Sequence, residues 1–97
     1  MSYNPPMKYF SWSEEKNEFL KRERGISFEE IVFHIEKGDV ADLLEHPNQT
    51  RYPGQRVFVV IVNQYAYLVP FEESEDQVFL KTIIPSGKLT RKYLGGK

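Results

Sequence analysis

The chain has 97 residues and a mass of 11.4 kDa, which is room for one domain with a single core. Hydrophobic residues make up 40% and charged residues 28%, a balance that excludes intrinsic disorder. Thirteen Lys and Arg against fourteen Asp and Glu give a net charge of -1, which excludes a uniformly basic nucleic-acid coat protein but leaves room for a local basic patch. There is no Cys, so a disulfide scaffold, a thiol nucleophile and a Cys-based zinc site are excluded. Residues 1–97 are expected to form one domain. Residues 1–6, with Pro5 and Pro6, read as a frayed arm that leads into a short strand at 7–11.

A first helix follows. Ser11 or Ser13 can cap it, and Ser11 with Glu14 has capping-box spacing. Glu14 and Glu15 fall near its positive end, Lys21, Arg22 and Arg24 near its negative end, and Gly25 is a natural stop. The second helix, 27–37, carries the clearest local signature. Ser27 and Glu30 make a capping box, Ile26 and Ile31 a hydrophobic staple, and Phe28, Ile31, Val32 and Ile35 one apolar stripe. Gly38 ends it. Phe33 and His34 lie off the stripe, and an off-stripe Phe marks a candidate partner surface.

The remainder reads as sheet. Residues 40–45 form a short strand, broken at His46-Pro47-Asn48; Tyr52-Pro53-Gly54 is a second turn signal. Residues 56–62 are almost continuously apolar and β-branched, as expected of a central strand covered on both faces. Asn63-Gln64 reads as a tight hairpin turn without the usual Gly. Residues 65–71 pair back, with Pro70 at an edge or bulge. An acidic turn leads to a last strand at 78–84, and 88–94 make a short basic terminal helix. The order is β-α-α-β-β-β-β-α, an α+β class with two N-terminal helices packed on an antiparallel sheet of four to five strands and a short C-terminal helix.

Hydrolase and nucleotide-binding fingerprints are absent, and His34 and His46, twelve residues apart, lack metal-ligand spacing, so neither a metal nor a cofactor is expected. Basic charge is distributed unevenly. Residues 86–97 carry Lys88, Arg91, Lys92 and Lys97 and no acid, Arg51 and Arg56 flank the Pro-Gly turn, and Lys81 interrupts an apolar strand on the face expected to carry Phe79 and Ile83. Tyr52, Tyr65, Tyr67 and Tyr93 interleave with these cations. Cations for phosphate and aromatics for bases are the ingredients of single-stranded RNA recognition, and equally of an ordinary sheet surface.

Phe10-x-Trp12-x-x-x-Lys16-Asn17 followed by Gly25-Ile26-Ser27-Phe28-Glu29 resembles the F-x-W-x-x-x-K-N…H-G-I-S-F-E block of the BrnT-type toxins of bacterial type II toxin–antitoxin systems. Arg51-Tyr52 with the apolar strand after Gly54 is similar to that family's E-R…G…L-x-V-V stretch. Residues 83–94 resemble its I-I-S-A-R-x-A-T…Y tail. The resemblance covers about residues 8–94. It implies a RelE-like fold, cleavage of free or ribosome-bound mRNA, and neutralisation in a hetero-oligomer with a small ribbon-helix-helix antitoxin. The sequence departs from the pattern at Arg24, in place of His, at Thr50, in place of Glu, and at Gly87, in place of Arg. With no targeting pattern at the start and no apolar run of membrane-spanning length, a cytoplasmic protein is expected.

Such a ribonuclease needs no metal. The RNA's own 2′-hydroxyl attacks the neighbouring phosphate, and the protein moves protons and stabilises the phosphorane. On this reading Arg51, Lys81 and Arg91 hold phosphate, with Lys88 and Lys92 as further RNA-binding cations. His46 and Glu45 transfer protons, Tyr93 stacks on a base, and Phe33 meets the antitoxin. Two other readings stay open at this level. One is a catalytically degenerate homologue that binds RNA or protein. The other is an interaction domain unrelated to toxins.

Overall fold

The computed structural model describes residues 8–95; the arm expected over residues 1–6 lies outside them. The elements are β1 (Tyr9–Ser11), α1 (Glu14–Arg24), α2 (Phe28–Glu36), β2 (Val40–Glu45), β3 (Arg56–Val62), β4 (Tyr65–Glu73), β5 (Gln77–Leu80), the two-residue β6 (Ile84–Pro85) and α3 (Gly87–Thr90), which continues into a π-helical turn, Arg91–Gly95. The fold is α+β, two helices followed by a sheet and a short C-terminal helix, compatible with a RelE-like arrangement. Five strands lie side by side in the order β1-β5-β4-β3-β2, and β6 pairs with β4. All pairs are antiparallel but one: β5 enters the sheet between β4 and β1 and runs parallel to β1, so the sheet is mixed.

The helices start where local chemistry places them. Ser13 caps α1 by accepting from the Lys16 amide. Ser11 does not serve as the cap, because it belongs to β1 and its hydroxyl donates to Gln77 Oε1 at 2.5 Å. Gly25 closes α1 in the left-handed region, φ 67°, its amide returning to the Lys21 carbonyl. Ser27 caps α2 by accepting from the Glu30 amide, as its spacing predicts. Phe28, Ile31 and Ile35 are fully buried, and Val32 packs half-buried at the margin. Fully buried Asn17 joins the two helices. Its Oδ1 accepts from the Phe28 amide at 2.8 Å, and its Nδ2 donates to Glu29 Oε1 at 2.8 Å.

Strand β3 lies inside the sheet, between β4 and the edge strand β2. Phe58, Val60 and Val62 face α1 and α2, together with Val69, Phe71, Val78 and Leu80. Val57 and Val59 face the opposite side and are also buried. The β3–β4 turn is Asn63-Gln64, with φ of 50° and 64°; both residues adopt the left-handed conformation that a two-residue hairpin needs, without Gly.

The last strand is shorter than the sequence predicts. It ends at Leu80, and Lys81 follows it. Pro70, lying within β4, offers no amide to a neighbour, and β4 changes partner around it: β6 pairs at Tyr67 and Leu68, β5 from Phe71 onward. The chain leaves the ladder between them, and the alternation expected to put Ile83 beside Lys81 stops. Ile83 instead joins the helix-side core, and Arg24 Nη1 takes its carbonyl at 2.5 Å.

Replacing Asn17 by Ala strands the buried Phe28 amide and is expected to cost about 1–3 kcal/mol. Removing the cap with Ser27→Ala is expected to cost about 0.5–2 kcal/mol. Urea denaturation of the two variants checks both, and a cost near zero for Asn17→Ala would contradict its role as the tie between the helices.

Candidate functional site

The sheet face away from α1 and α2 carries the terminal helix. Three contacts hold it. The Ser86 amide donates to the Ala66 carbonyl at 3.0 Å, the Ala66 amide donates to Thr90 Oγ1 at 2.8 Å, and Tyr93 Oη donates to Asp42 Oδ2 at 2.8 Å. The helix therefore crosses from β4 over β3 to β2. The Tyr93 hydrogen bond, with a smaller contribution from the Leu43 amide, holds the Asp42 carboxyl below the usual aspartate value, and the same contact raises the Tyr93 hydroxyl. Tyr93, expected to stack on a base, is thus the tie of the helix to β2, with Lys92 Nζ 5.3 Å from its ring centre.

The segment between β2 and β3 folds back on itself. The His46 amide donates to the Gln55 carbonyl at 2.9 Å, and Gln49 Nε2 donates to the His46 carbonyl at 2.8 Å. His46 Nδ1 accepts from the Asn48 amide at 3.0 Å, so a neutral imidazole carries its proton on Nε2. The Tyr52 ring lies 4.3 Å from that imidazole, and the Arg51 guanidinium lies 5.6 Å from the Tyr52 ring centre. Arg51 has no carboxylate partner among the described residues. His46, Arg51 and Tyr52 form a row of one donor, one ring and one cation on a single turn. Tyr52 enters this row through the Tyr-Pro-Gly turn, the signal by which sequence could have placed it there.

His46 also borders an apolar cleft of about 320 Å³ between this turn and the terminal helix. Glu45, expected to transfer a proton there, lies opposite Arg56 of β3 and alternates with Leu44 of the cleft wall, which turns the Glu45 side chain to the helix side of the sheet, away from the cleft. Lys81 stands at the same end of the sheet. Its amide donates to the Pro70 carbonyl at 2.8 Å, and its Nζ lies 3.6 Å from Glu72 Oε2. That carboxylate also accepts from the Gln55 side chain at 2.9 Å, so Lys81 already has an anion beside it.

Arg91 is elsewhere. It lies against Gly87, where an added Cβ would sit 3.6 Å from Arg91 Nη1 and 3.4 Å from Tyr65 Oη. This is the hairpin end of the sheet. Ala66, which anchors the helix there, and Pro70, which anchors Lys81, are four residues apart on β4, roughly 13 Å. Arg51, Lys81 and His46 thus share one end of the sheet, and Arg91 stands apart. Lys88 and Lys92 are exposed on the terminal helix. Phe33 is 60% exposed on α2, on the helix side of the sheet, with Lys37 Nζ 5.5 Å from its ring centre and the His34 ring edge-on at 5.3 Å.

Among the described residues no three His, Asp or Glu side chains converge where they could hold a metal ion. No helix is long and apolar enough to cross a membrane. No family model, curated protein or solved structure matches the chain significantly.

The Asp42 carboxyl is lowered in the folded state, so its contact with Tyr93 stabilises the helix fully above the ordinary aspartate range and is lost as pH falls through the lowered value. Tyr93→Phe removes the contact at every pH. Limited trypsin digestion at Lys88, Arg91 and Lys92 is expected to speed up in that variant at neutral pH. An unchanged digestion rate would show that the two remaining contacts suffice.

Proposed function

We propose that the chain is a cytoplasmic toxin of the BrnT type that cleaves single-stranded mRNA without a metal and is neutralised by a ribbon-helix-helix antitoxin. The observation that carries this reading is the His46–Tyr52–Arg51 row: a histidine with a defined Nε2–H donor beside a cation with no carboxylate partner among the described residues, at the edge of a cleft. In the reaction the RNA 2′-oxygen bonds to phosphorus and the bond from phosphorus to the 5′-oxygen breaks. The 2′-hydroxyl proton passes to water and the departing 5′-oxygen takes a proton from water, while neutral His46 donates its Nε2–H to a non-bridging phosphate oxygen and Arg51 neutralises the phosphorane. One donor placed on developing charge contributes about 10²–10³-fold. Lys81 joins once Glu72 releases it, while Lys88, Arg91 and Lys92 bind RNA further along the terminal helix. Exposed Phe33 is the proposed contact for the antitoxin, on the face away from the RNA.

A second reading is a degenerate homologue that binds RNA or protein without cutting. The Lys81–Glu72 pair and the separation of Arg91 from Arg51 favour it, as do Thr50 and Gly87, which lack the acid and the cation that the resemblance implies.

Purified protein in EDTA, with and without ribosomes, separates the two. Cleavage to a 2′,3′-cyclic phosphate is expected for wild type, with a loss of about 10²-fold or more in His46→Ala. Arg51→Ala is expected to lose cleavage with thermal stability nearly unchanged, since an exposed charge contributes about 0–1 kcal/mol. RNA binding that weakens steeply with salt, without cleavage, would select the binding module.

A further inference from the structure

The cleft beside His46 has a floor of buried Val57 and half-buried Leu68. Its walls are Leu44 and Pro47 on one side and Ile84 and Leu89 on the other. We propose that it is a nucleobase subsite, which holds one base of the RNA so that the adjoining phosphate meets His46 and Arg51. This rests on the RNA reading above and adds the anchor which that reading lacks.

Size, shape and polarity support the assignment. At about 320 Å³ the cleft lies at the lower limit of small-molecule sites, which run about 300–1,000 Å³, and so suits a single ring system rather than a length of chain. Val57, Leu68 and Pro70 lie side by side on β3 and β4 as a flat aliphatic floor on which one face of a ring rests, with Leu44 and Ile84 at its two margins. The groups at its mouth are the imidazole of His46 and, one ring further, the guanidinium of Arg51. Because His46 Nδ1 already accepts from Asn48, its Nε2–H is left as a donor for the phosphate that adjoins the base. Arg51 has no carboxylate partner among the described residues, so a phosphate beside the base meets a cation that need not first be released. A site built from aliphatic side chains tolerates different bases, since apolar contact with a ring face does not read the base edge.

The test uses a single-stranded RNA dodecamer and a set of the same dodecamers with one abasic position each, titrated against wild type and against the double variant Leu44→Ser, Ile84→Ser. Both residues are surface-exposed, at 36% and 40%, and a thermal melt checks the fold of the variant. With wild type, one abasic position is expected to weaken binding about fivefold or more, as loss of a buried apolar contact does. In the double variant that position is expected to cost nothing further. The wild-type scan stands without the variant: equal binding of every abasic dodecamer overturns the subsite while RNA binding itself survives. A double variant that binds RNA normally but no longer binds the antitoxin makes the cleft a protein-docking site and also overturns it. If wild type binds none of the dodecamers at low salt, the RNA reading falls, and the subsite with it.

Discussion

Strand β3 has no polar face. Phe58, Val60 and Val62 turn to one side and Val57 and Val59 to the other, and every one of them is buried. A strand of this kind is stable only if the chain supplies cover twice. The two N-terminal helices cover one face with Leu20, Phe28, Ile31 and Ile35. The short segment from β6 through the terminal helix covers the other. Since that second cover is only twelve residues long, Ile84 to Gly95, it covers part of the face and leaves a cleft toward the β2 end. The candidate site is the edge of an incomplete cover.

Polar ties keep both covers in place. Asn17 uses its carbonyl and its amide on two neighbouring residues of α2, which fixes the start of that helix against α1. Its donation to Glu29 also lowers that carboxyl, so the tie includes a charged acceptor. Arg24 reaches the Ile83 carbonyl and pins the chain where it leaves β5. Tyr93 does the same for the terminal helix through Asp42. A buried or half-buried polar group costs stability unless it is satisfied, so each of these partners selects one arrangement among several that the apolar residues would allow.

The charges around the site are unequal in what they can do. Lys8, Arg56 and Lys81 each pair with Glu72 or Glu73, neighbours at the end of β4. These pairs neutralise the middle of the sheet edge. Arg51 and the cations of the terminal helix lie outside this cluster. For the proposed RNA ligand, an extended strand fits this layout better than a single compact anion, because the cations are spread along the sheet instead of gathered at one point.

Much of this was legible in order along the chain. The cap and staple at 26–31, the stop at Gly25, the two-residue turn at Asn63-Gln64 and the doubly buried strand all follow from local periodicity and backbone preference, which act over a few residues. The His46 and Tyr52 breaks were also visible, and with them a turn that carries Arg51. Sequence could not decide which strand lies beside which, so the parallel β1–β5 pair came only with the tertiary structure. Nor could it show that Pro70 divides the neighbours of β4, which moves Ile83 into the core and leaves Lys81 beside Glu72. The same holds for the site. Sequence supplied the cations, but their spacing in the chain says nothing of their separation in space. Tertiary structure placed His46, Arg51 and Lys81 at one end and Arg91 at the other, because β4 anchors Lys81 at Pro70 and the terminal helix at Ala66, four residues apart, while the turn with His46 and Arg51 folds back on Gln55 at the start of β3.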